Sequence, residues 1–232
     1  MNLQETIYKR KSHRSFYEQW VGEETLADIR AFFDRAKRLY PEIPLRMELV
    51  EREQVKCILP FVPPQCIAIY SEDSTEAWEN IGFVFQQLDL YLQSIGLGSC
   101  WLGLGKLPDA ESDFRMLLAF GHSKEALRSG KAEFKRKDLS EIADVEDARL
   151  EPARLAPSAI NNQPWFFVHE EEKLHVYCST RFLRARALGK MILIDMGICL
   201  SHLYVSYPET FTFWKEEAPE QKGLTYIGTI RI

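Results

Sequence analysis

No two of the five cysteines, Cys57, Cys66, Cys100, Cys178 and Cys199, stand as Cys-x-x-Cys, and their odd number leaves no complete disulfide framework. They read as reduced thiols in the core of a cytoplasmic protein. Histidine is equally thin. His13, His122, His169, His175 and His202 are scattered, with no pair at metal-ligand spacing and no Gly-x-Ser-x-Gly elbow, which argues against a metal centre and a hydrolytic triad. No apolar run approaches the roughly 18 residues of a membrane span, and the stretch from Met1 to Phe16 lacks the apolar segment of a secretory signal. Positive charge is short as well: the net charge is -5 and the basic runs are brief and isolated, so nucleic acid is not an expected partner. What is present is a 46% hydrophobic chain of 232 residues, ample for one large domain or two intertwined ones.

Apolar spacing predicts alternating helices and strands. Thr25 is expected to cap a helix running to about Leu39, Arg46 to Val50 alternates as a strand, and Cys66 to Tyr70 is an apolar strand set between Pro63-Pro64 and Ser71-Glu72-Asp73. Ile81, Val84, Phe85, Leu88, Leu92 and Ile95 form one stripe of the longest helix, which Gly96 stops. Gly82 inside it costs about 1 kcal/mol relative to Ala, which close helix-helix packing would offset. Gly197 sits at the matching place in a second helix, Ile192 to Val205, so the two are expected to cross at a pseudo-twofold axis. Met116 to Phe120 reads as a strand, Ser123 to Phe134 as a polar connection, Phe166 to Val168 with Leu174 to Tyr177 as a hairpin, and Gly223 to Ile232 as a closing strand.

Three segments carry chemistry. The run Leu155-Ala156-Pro157-Ser158-Ala159-Ile160-Asn161-Asn162-Gln163-Pro164-Trp165 is poor core material. Ser158 and Asn161 offer short hydrogen-bonding side chains, Ala159 lets backbone approach a ligand, and Pro157 and Pro164 fix φ; a helix end running into a strand reads equally well from this run alone. Tyr8-Lys9-Arg10-Lys11-Ser12-His13-Arg14-Ser15-Phe16 could seat a phosphate, with Arg forks, a Lys point charge and a Ser donor, or be a solvated basic face. Ser94-Ile95-Gly96-Leu97-Gly98-Ser99-Cys100-Trp101-Leu102-Gly103-Leu104-Gly105 closes the long helix and is no dinucleotide fingerprint, because it reads Gly-x-Gly-x-x-Trp after a helix.

Together these segments resemble the FMN-dependent nitroreductase family, whose members carry a basic Arg-x-Ser-x-Arg run, a Pro-Ser-Ser-x-Asn-x-Gln-Pro-Trp loop and a Gly-Leu-Gly-Ser-Cys-Trp segment. A strand end followed by a basic tail, another family feature, resembles Ala119-Phe120-Gly121 and Lys135-Arg136-Lys137. The resemblance implies an α+β fold of mostly antiparallel sheets flanked by helices. The order of motifs departs from the family, since the Pro-Ser loop here follows the glycine segment. An internal repeat accounts for this: Arg38-Leu39-Tyr40-Pro41 recurs as Arg154-Leu155-Ala156-Pro157, and Ile81-Gly82-Phe83-Val84-Phe85 as Met196-Gly197-Ile198-Cys199-Leu200. Trp101 and Trp214, then Phe120-Gly121 and Ile227-Gly228, follow in the same order. The expectation is two degenerate tandem copies, residues 1–144 and 145–232, intertwined as an intramolecular pseudo-dimer and therefore a monomer. The first copy lacks the loop, with Glu42 placed to repel a phosphate, and the second lacks the glycine segment and basic tail, so one composite site is expected.

For that site the resemblance implies Arg10 and Arg136 on the FMN phosphate, with Lys11 and Lys135 as helpers and Ser12 completing the cradle. Arg14 would stand where negative charge develops on the reduced ring. Backbone of Leu102, Gly103 and Leu104 would face flavin N5, and Pro157, Ser158, Ala159 and Asn161 would approach from the second copy, with Gln163 holding the loop. Trp165 reads as a packing anchor and Cys100 as a buried neighbour of Trp101. No catalytic side chain is expected, because the cofactor carries the chemistry. The implied activity is ping-pong reduction of a small electron-poor acceptor, such as a nitroaromatic or quinone, by NADH or NADPH through flavin N5. A flavin-binding carrier or sensor without turnover is the alternative.

Overall fold

The computed structural model describes residues 1–57, 63–179 and 189–232. The helices among the described residues are α1 (Leu3–Ile7), α2 (Glu23–Arg35), α3 (Thr75–Ser94), α4 (Leu139–Ile142), α5 (Glu151–Arg154) and α6 (Gly189–Ser206). The strands are β1 (Leu45–Glu51), β2 (Gln65–Ser71), β3 (Gly98–Leu102), β4 (Phe114–Gly121), β5 (Trp165–Glu170), β6 (Lys173–Ser179), β7 (Thr212–Trp214) and β8 (Leu224–Arg231). They form two four-stranded sheets, in the orders β1-β2-β4-β3 and β5-β6-β8-β7, and every neighbouring pair is antiparallel. In each sheet the long helix lies between the second and third strands in sequence, so the two connectivities are the same.

The two long helices pack on each other. Ser74 starts α3 by accepting the Ala77 N–H on Oγ at 3.1 Å, and Gly96 ends it at φ 89°, a left-handed stop that favours glycine. A Cβ on Gly82 would lie 2.0 Å from Ile194 O, and one on Gly197 would lie 1.9 Å from Glu79 O. The contact is reciprocal. Each glycine meets the residue three positions before the other, as two helices crossing on a twofold axis require. The same chain separation that parts Gly82 from Gly197 also parts Gln87 from His202 and Lys37 from Pro152. Gln87 Nε2 donates to Lys37 O at 2.8 Å, and His202 Nδ1 meets Pro152 O at 2.9 Å. One apolar core runs from Ile67, Ile69, Leu118 and Phe120 through Phe83, Phe85, Met196 and Leu200 to Phe167, Val176 and Ile230, spanning both sheets.

The helix expected from Thr25 to Leu39 instead runs from Glu23 to Arg35 behind Gly22. Glu23 and Glu24 favour its positive N-terminus, and residues 36–40 leave the helix because their backbone is claimed elsewhere. Gln87 Oε1 accepts from Lys37 N, and Asn80 Oδ1 from Leu39 N and Tyr40 N. The glycine run was read as a helix end only. Part of it is β3, paired with β4 from Gly98↔Gly121 to Leu102↔Leu117. Gly98 permits this strand to lie where a Cβ would be 2.6 Å from Ser123 Cβ and 2.9 Å from His13 Cβ.

Candidate functional site

Beside the crossing helices lies a cavity of about 380 Å³. Its walls come from five places in the chain: Ser12 and Arg14; Cys100, Trp101, Gly103 and Leu104 at the end of β3; Met116 on β4; Pro157 to Ile160 before β5; and Met191, Ile194, Asp195 and Ile198 on α6. Seven of the residues expected from the sequence thus share one lining: Ser12, Arg14, Gly103, Leu104, Pro157, Ser158 and Ala159. Leu102, Arg10, Lys11, Arg136 and Asn161 are not part of it. A Cβ on Gly103 would come within 3.2 Å of Met191 Sδ, so glycine sets the width of the cavity there. Burial raises the Cys100 thiol pKa and keeps it neutral.

The 157–163 loop is held in a conformation that its residues resist. Ile160, Asn161 and Gln163 have φ of 47°, 60° and 48°, and for the β-branched Ile160 the left-handed region is a true outlier. Hydrogen bonds impose it. Gln163 N donates to Ser158 Oγ at 2.9 Å, Gln163 Nε2 to Asn161 O at 3.1 Å, and Lys137 N to Gln163 Oε1 at 2.8 Å. The Ala159 N–H is donated to Asp195 Oδ1 at 2.9 Å. Asn161 faces the basic tail rather than the cavity: its Oδ1 accepts from Arg136 Nη1 at 2.7 Å and its Nδ2 donates to Lys135 O at 3.0 Å. Trp165 is buried in the main core. Stored strain of this kind is characteristic of binding sites.

Next to the cavity residues the cations gather. Arg10 is 1% exposed, with Nε on Asp89 Oδ2 at 3.1 Å. Asp89 also accepts from Ser99 Oγ at 2.6 Å, Gln86 Nε2 at 2.9 Å and Gln93 Nε2 at 3.2 Å. Arg10 Nη2 is buried with no partner among the described residues. Arg128, which the sequence reading left inside a polar connection, donates from Nη1 to Arg10 O and lies 4.2 Å over the Phe134 ring. Arg136 lies 5.5 Å over the same ring. Burial first, then the guanidinium groups of Arg10, Arg128 and Arg154, push the Arg136 pKa down to about 9. Asp89 pairs with Arg10 and Glu151 with Arg154, against four guanidinium groups. Lys11 is otherwise engaged, with Nζ 2.7 Å from Glu125 Oε2.

Asp195 was not singled out from the sequence. It is 3% exposed, its Oδ2 has no partner among the described residues, and burial raises its pKa well above the usual carboxylate range. The only signal was a lone carboxylate within Ile192-Leu193-Ile194-Asp195-Met196.

The place related to this cavity by the helix crossing is filled. Met191, Ile194, Asp195 and Ile198 correspond, at the glycine-to-glycine separation, to Glu76, Glu79, Asn80 and Phe83 of α3. There the Tyr40 hydroxyl donates to Glu79 Oε2 at 2.5 Å, and Tyr40 meets the Phe213 ring edge-on at 5.8 Å. Phe83 stacks on Phe211 at 5.9 Å, and Lys215 Nζ closes on Glu76 Oε1 at 2.8 Å.

A family model described as "Putative TM nitroreductase" matches residues 2–207. No curated protein matches the chain. A solved structure from Thermotoga maritima, described as a "putative nitroreductase", superposes with a TM-score of 0.71 at 22% identity, covering 99% of this chain and 92% of that one. A nitroreductase family protein of Clostridium difficile 630 superposes with a TM-score of 0.50 at 17% identity, over 61% of this chain and 96% of that one. A nitroreductase of Desulfitobacterium hafniense with bound FMN gives 0.47 at 16% identity, over 60% of this chain and 100% of that one. At 22% and 17% identity, the likeness to the Thermotoga maritima and Clostridium difficile structures speaks for the fold alone.

Proposed function

We propose, for a chain that belongs to the nitroreductase family and is with it an oxidoreductase, that it binds one FMN in the composite cavity and passes electrons from NADH or NADPH to a small electron-poor acceptor. The observation that carries this reading is an apolar cavity beside a cluster of guanidinium groups, one of whose nitrogens, Arg10 Nη2, has no partner among the described residues. The orphaned Nη2 of Arg10, with Arg128 and Arg136 beside it, fits a phosphate that brings up to two negative charges. Trp101, Met116, Met191, Ile194 and Ile198 suit a planar ring, and Gly103 keeps backbone close to it. Ser12 and Arg14 follow Arg10 in sequence and both stand on the cavity wall, where the Arg14 cation would stabilise charge gained on reduction. Bound FMN would supply the hydride chemistry between nicotinamide and acceptor. Pro157, Ser158 and Ala159 would wall the ring from the other side, with Asn161 and Gln163 acting through the shape of the loop. Nitroaromatics and quinones are small, planar acceptor classes that suit a largely apolar cavity.

The same reading makes the molecule a pseudo-dimer of two degenerate copies, residues 1–144 and 145–232, working as a cytoplasmic monomer. Supporting it are the matched sheet orders, the reciprocal glycine contacts and the filled counterpart of the cavity. The test is an absorbance spectrum after FMN loading and removal of excess, followed by anaerobic NADH and NADPH. About one equivalent of flavin per chain that bleaches is expected, on a protein sedimenting as one chain. Flavin that stays oxidised would leave a carrier or sensor, and no retained flavin would sink the site. Arg136→Gln should weaken FMN binding by roughly ten- to a hundred-fold, the worth of a charged hydrogen bond.

A further inference from the structure

We propose that Asp195 presents a neutral carboxylic O–H on the cavity wall, and so selects an occupant that offers an uncharged acceptor atom, a carbonyl oxygen or an imine-type ring nitrogen. The inference rests on the flavin reading of the cavity and assigns the flavin ring as the occupant.

Three observations lead there. Asp195 is the one carboxylate of the described lining, otherwise built from Arg14, the small polar or thiol side chains of Ser12, Ser158 and Cys100, and apolar residues. Its two oxygens are differently placed: Oδ1 accepts the Ala159 N–H at 2.9 Å, while Oδ2 is buried and meets no hydrogen-bonding group among the described residues. On the other long helix the corresponding residue is Asn80, which satisfies both ends of its amide on its own loop. Its Oδ1 accepts from Leu39 N at 3.0 Å and its Nδ2 donates to Tyr40 O at 3.1 Å. The loop carbonyl of Ala156, beside the Pro157 turn, is instead taken by Arg136 Nε at 3.0 Å. Asp195 keeps the accepting half of that arrangement, and its other oxygen is left without a partner among the described residues, buried in a side chain that lines the cavity.

Ionisation would leave a charge with one hydrogen bond. The titratable groups around it are the Cys199 thiol on its own helix and the Cys178 thiol on β6, both held protonated by burial, with Cys100 of β3 and Arg14 on the shared lining. A thiol gives an anion little support. As the acid, Asp195 can donate from Oδ2 to a ring atom while Oδ1 still anchors Ala159.

Infrared difference spectra between the flavin-free protein and Asp195→Asn at pH 7 should contain the band of a protonated carboxyl group. FMN affinity, followed by quenching of flavin fluorescence, should stay within about three-fold in Asp195→Asn, whose amide keeps one acceptor and one donor. Asp195→Leu should lose roughly ten-fold or more. Wild-type affinity should fall at alkaline pH, and that of Asp195→Asn should fall less. Thermal melts of each variant separate lost binding from lost folding. Absence of the carboxyl band, or identical pH profiles in wild type and Asp195→Asn, would overturn the inference while leaving the flavin site standing. Failure of the wild type to bind FMN overturns the flavin reading and the assigned occupant together.

Discussion

Glu79 is a carboxylate in the wrong surroundings. It is 1% exposed, its Oε1 has no partner among the described residues, and burial pushes its pKa up to about 7 although the Tyr40 hydroxyl hydrogen bond pulls the other way. In the unfolded chain such a group ionises near its ordinary value of 4.5. Between the two values the folded state holds the extra proton, so this group's contribution to stability falls as pH rises from about 4.5 to about 7. Two buried histidines act in the opposite sense. His13 and His202, with pKa pushed down to about 4 and about 3 by burial, stay neutral in the fold, so acid below the ordinary 6.5 favours unfolding. Comparing wild type with Glu79→Gln cancels the histidines. Urea denaturation should show the variant gaining on the wild type across that window, by on the order of 3 kcal/mol at pH 8; parallel pH profiles would show that Glu79 ionises freely. Arg10, Ser12, Arg14, Pro157 and Ser158 were legible as candidates because their types and spacing are local facts. Asp195, Glu79 and Arg128 were not, since their importance comes from what lies across the fold: a cavity, a tyrosine from another segment, and a guanidinium cluster built from four places.

The two long helices show what periodicity can reveal. An apolar stripe, interrupted by glycine at matching places, announced that α3 and α6 meet, and the reciprocal approach of Gly82 to Ile194 and Gly197 to Glu79 is that meeting. Here the glycines serve contact rather than conformation. A methyl at residue 197 would fall 1.9 Å from Glu79 O and 2.7 Å from Phe83 N, both backbone atoms that cannot rotate away. Gly197→Ala should therefore separate the helices and cost about 1–3 kcal/mol or more, despite the gain in helix propensity of about 1 kcal/mol. Gly130→Ala, where a Cβ would meet nothing within 4 Å, is the control and should stay within about 0.5 kcal/mol of the wild type. Equal melting temperatures for the two variants would refute close packing at the crossing. Short elements were harder to foresee. Three-residue β7 carries too little pattern, and β3 is assembled from residues whose glycines signal a turn until β4 is there to pair with them.

At the scale of the molecule, the two similarly connected sheets do not amount to two separable bodies. Each long helix is buried by the other, and the main core continues from the first sheet through both helices into the second. The joint is reinforced where the site lies. Phe134 packs with Ile7 and Leu90 and also with Leu155, close before the 157–163 loop. Lys137 Nζ donates to Gln163 O at 2.9 Å, and Arg136 Nε to Ala156 O at 3.0 Å, so residues 136–137 support the loop's strained shape together with its own hydrogen bonds. Cutting the chain at residue 144 would expose the apolar face of α3 and release that loop from its supports. Residues 1–144 produced alone should therefore lack a cooperative thermal transition, as should 145–232, and the intact chain should melt in one step, with near-ultraviolet and far-ultraviolet dichroism changing together. A sharp independent transition in either piece would show that the crossing helices join finished domains. Under that result the cavity would be an interface between two stable units and could open by their separation, whereas a single transition means that binding in the cavity stabilises both sheets at once.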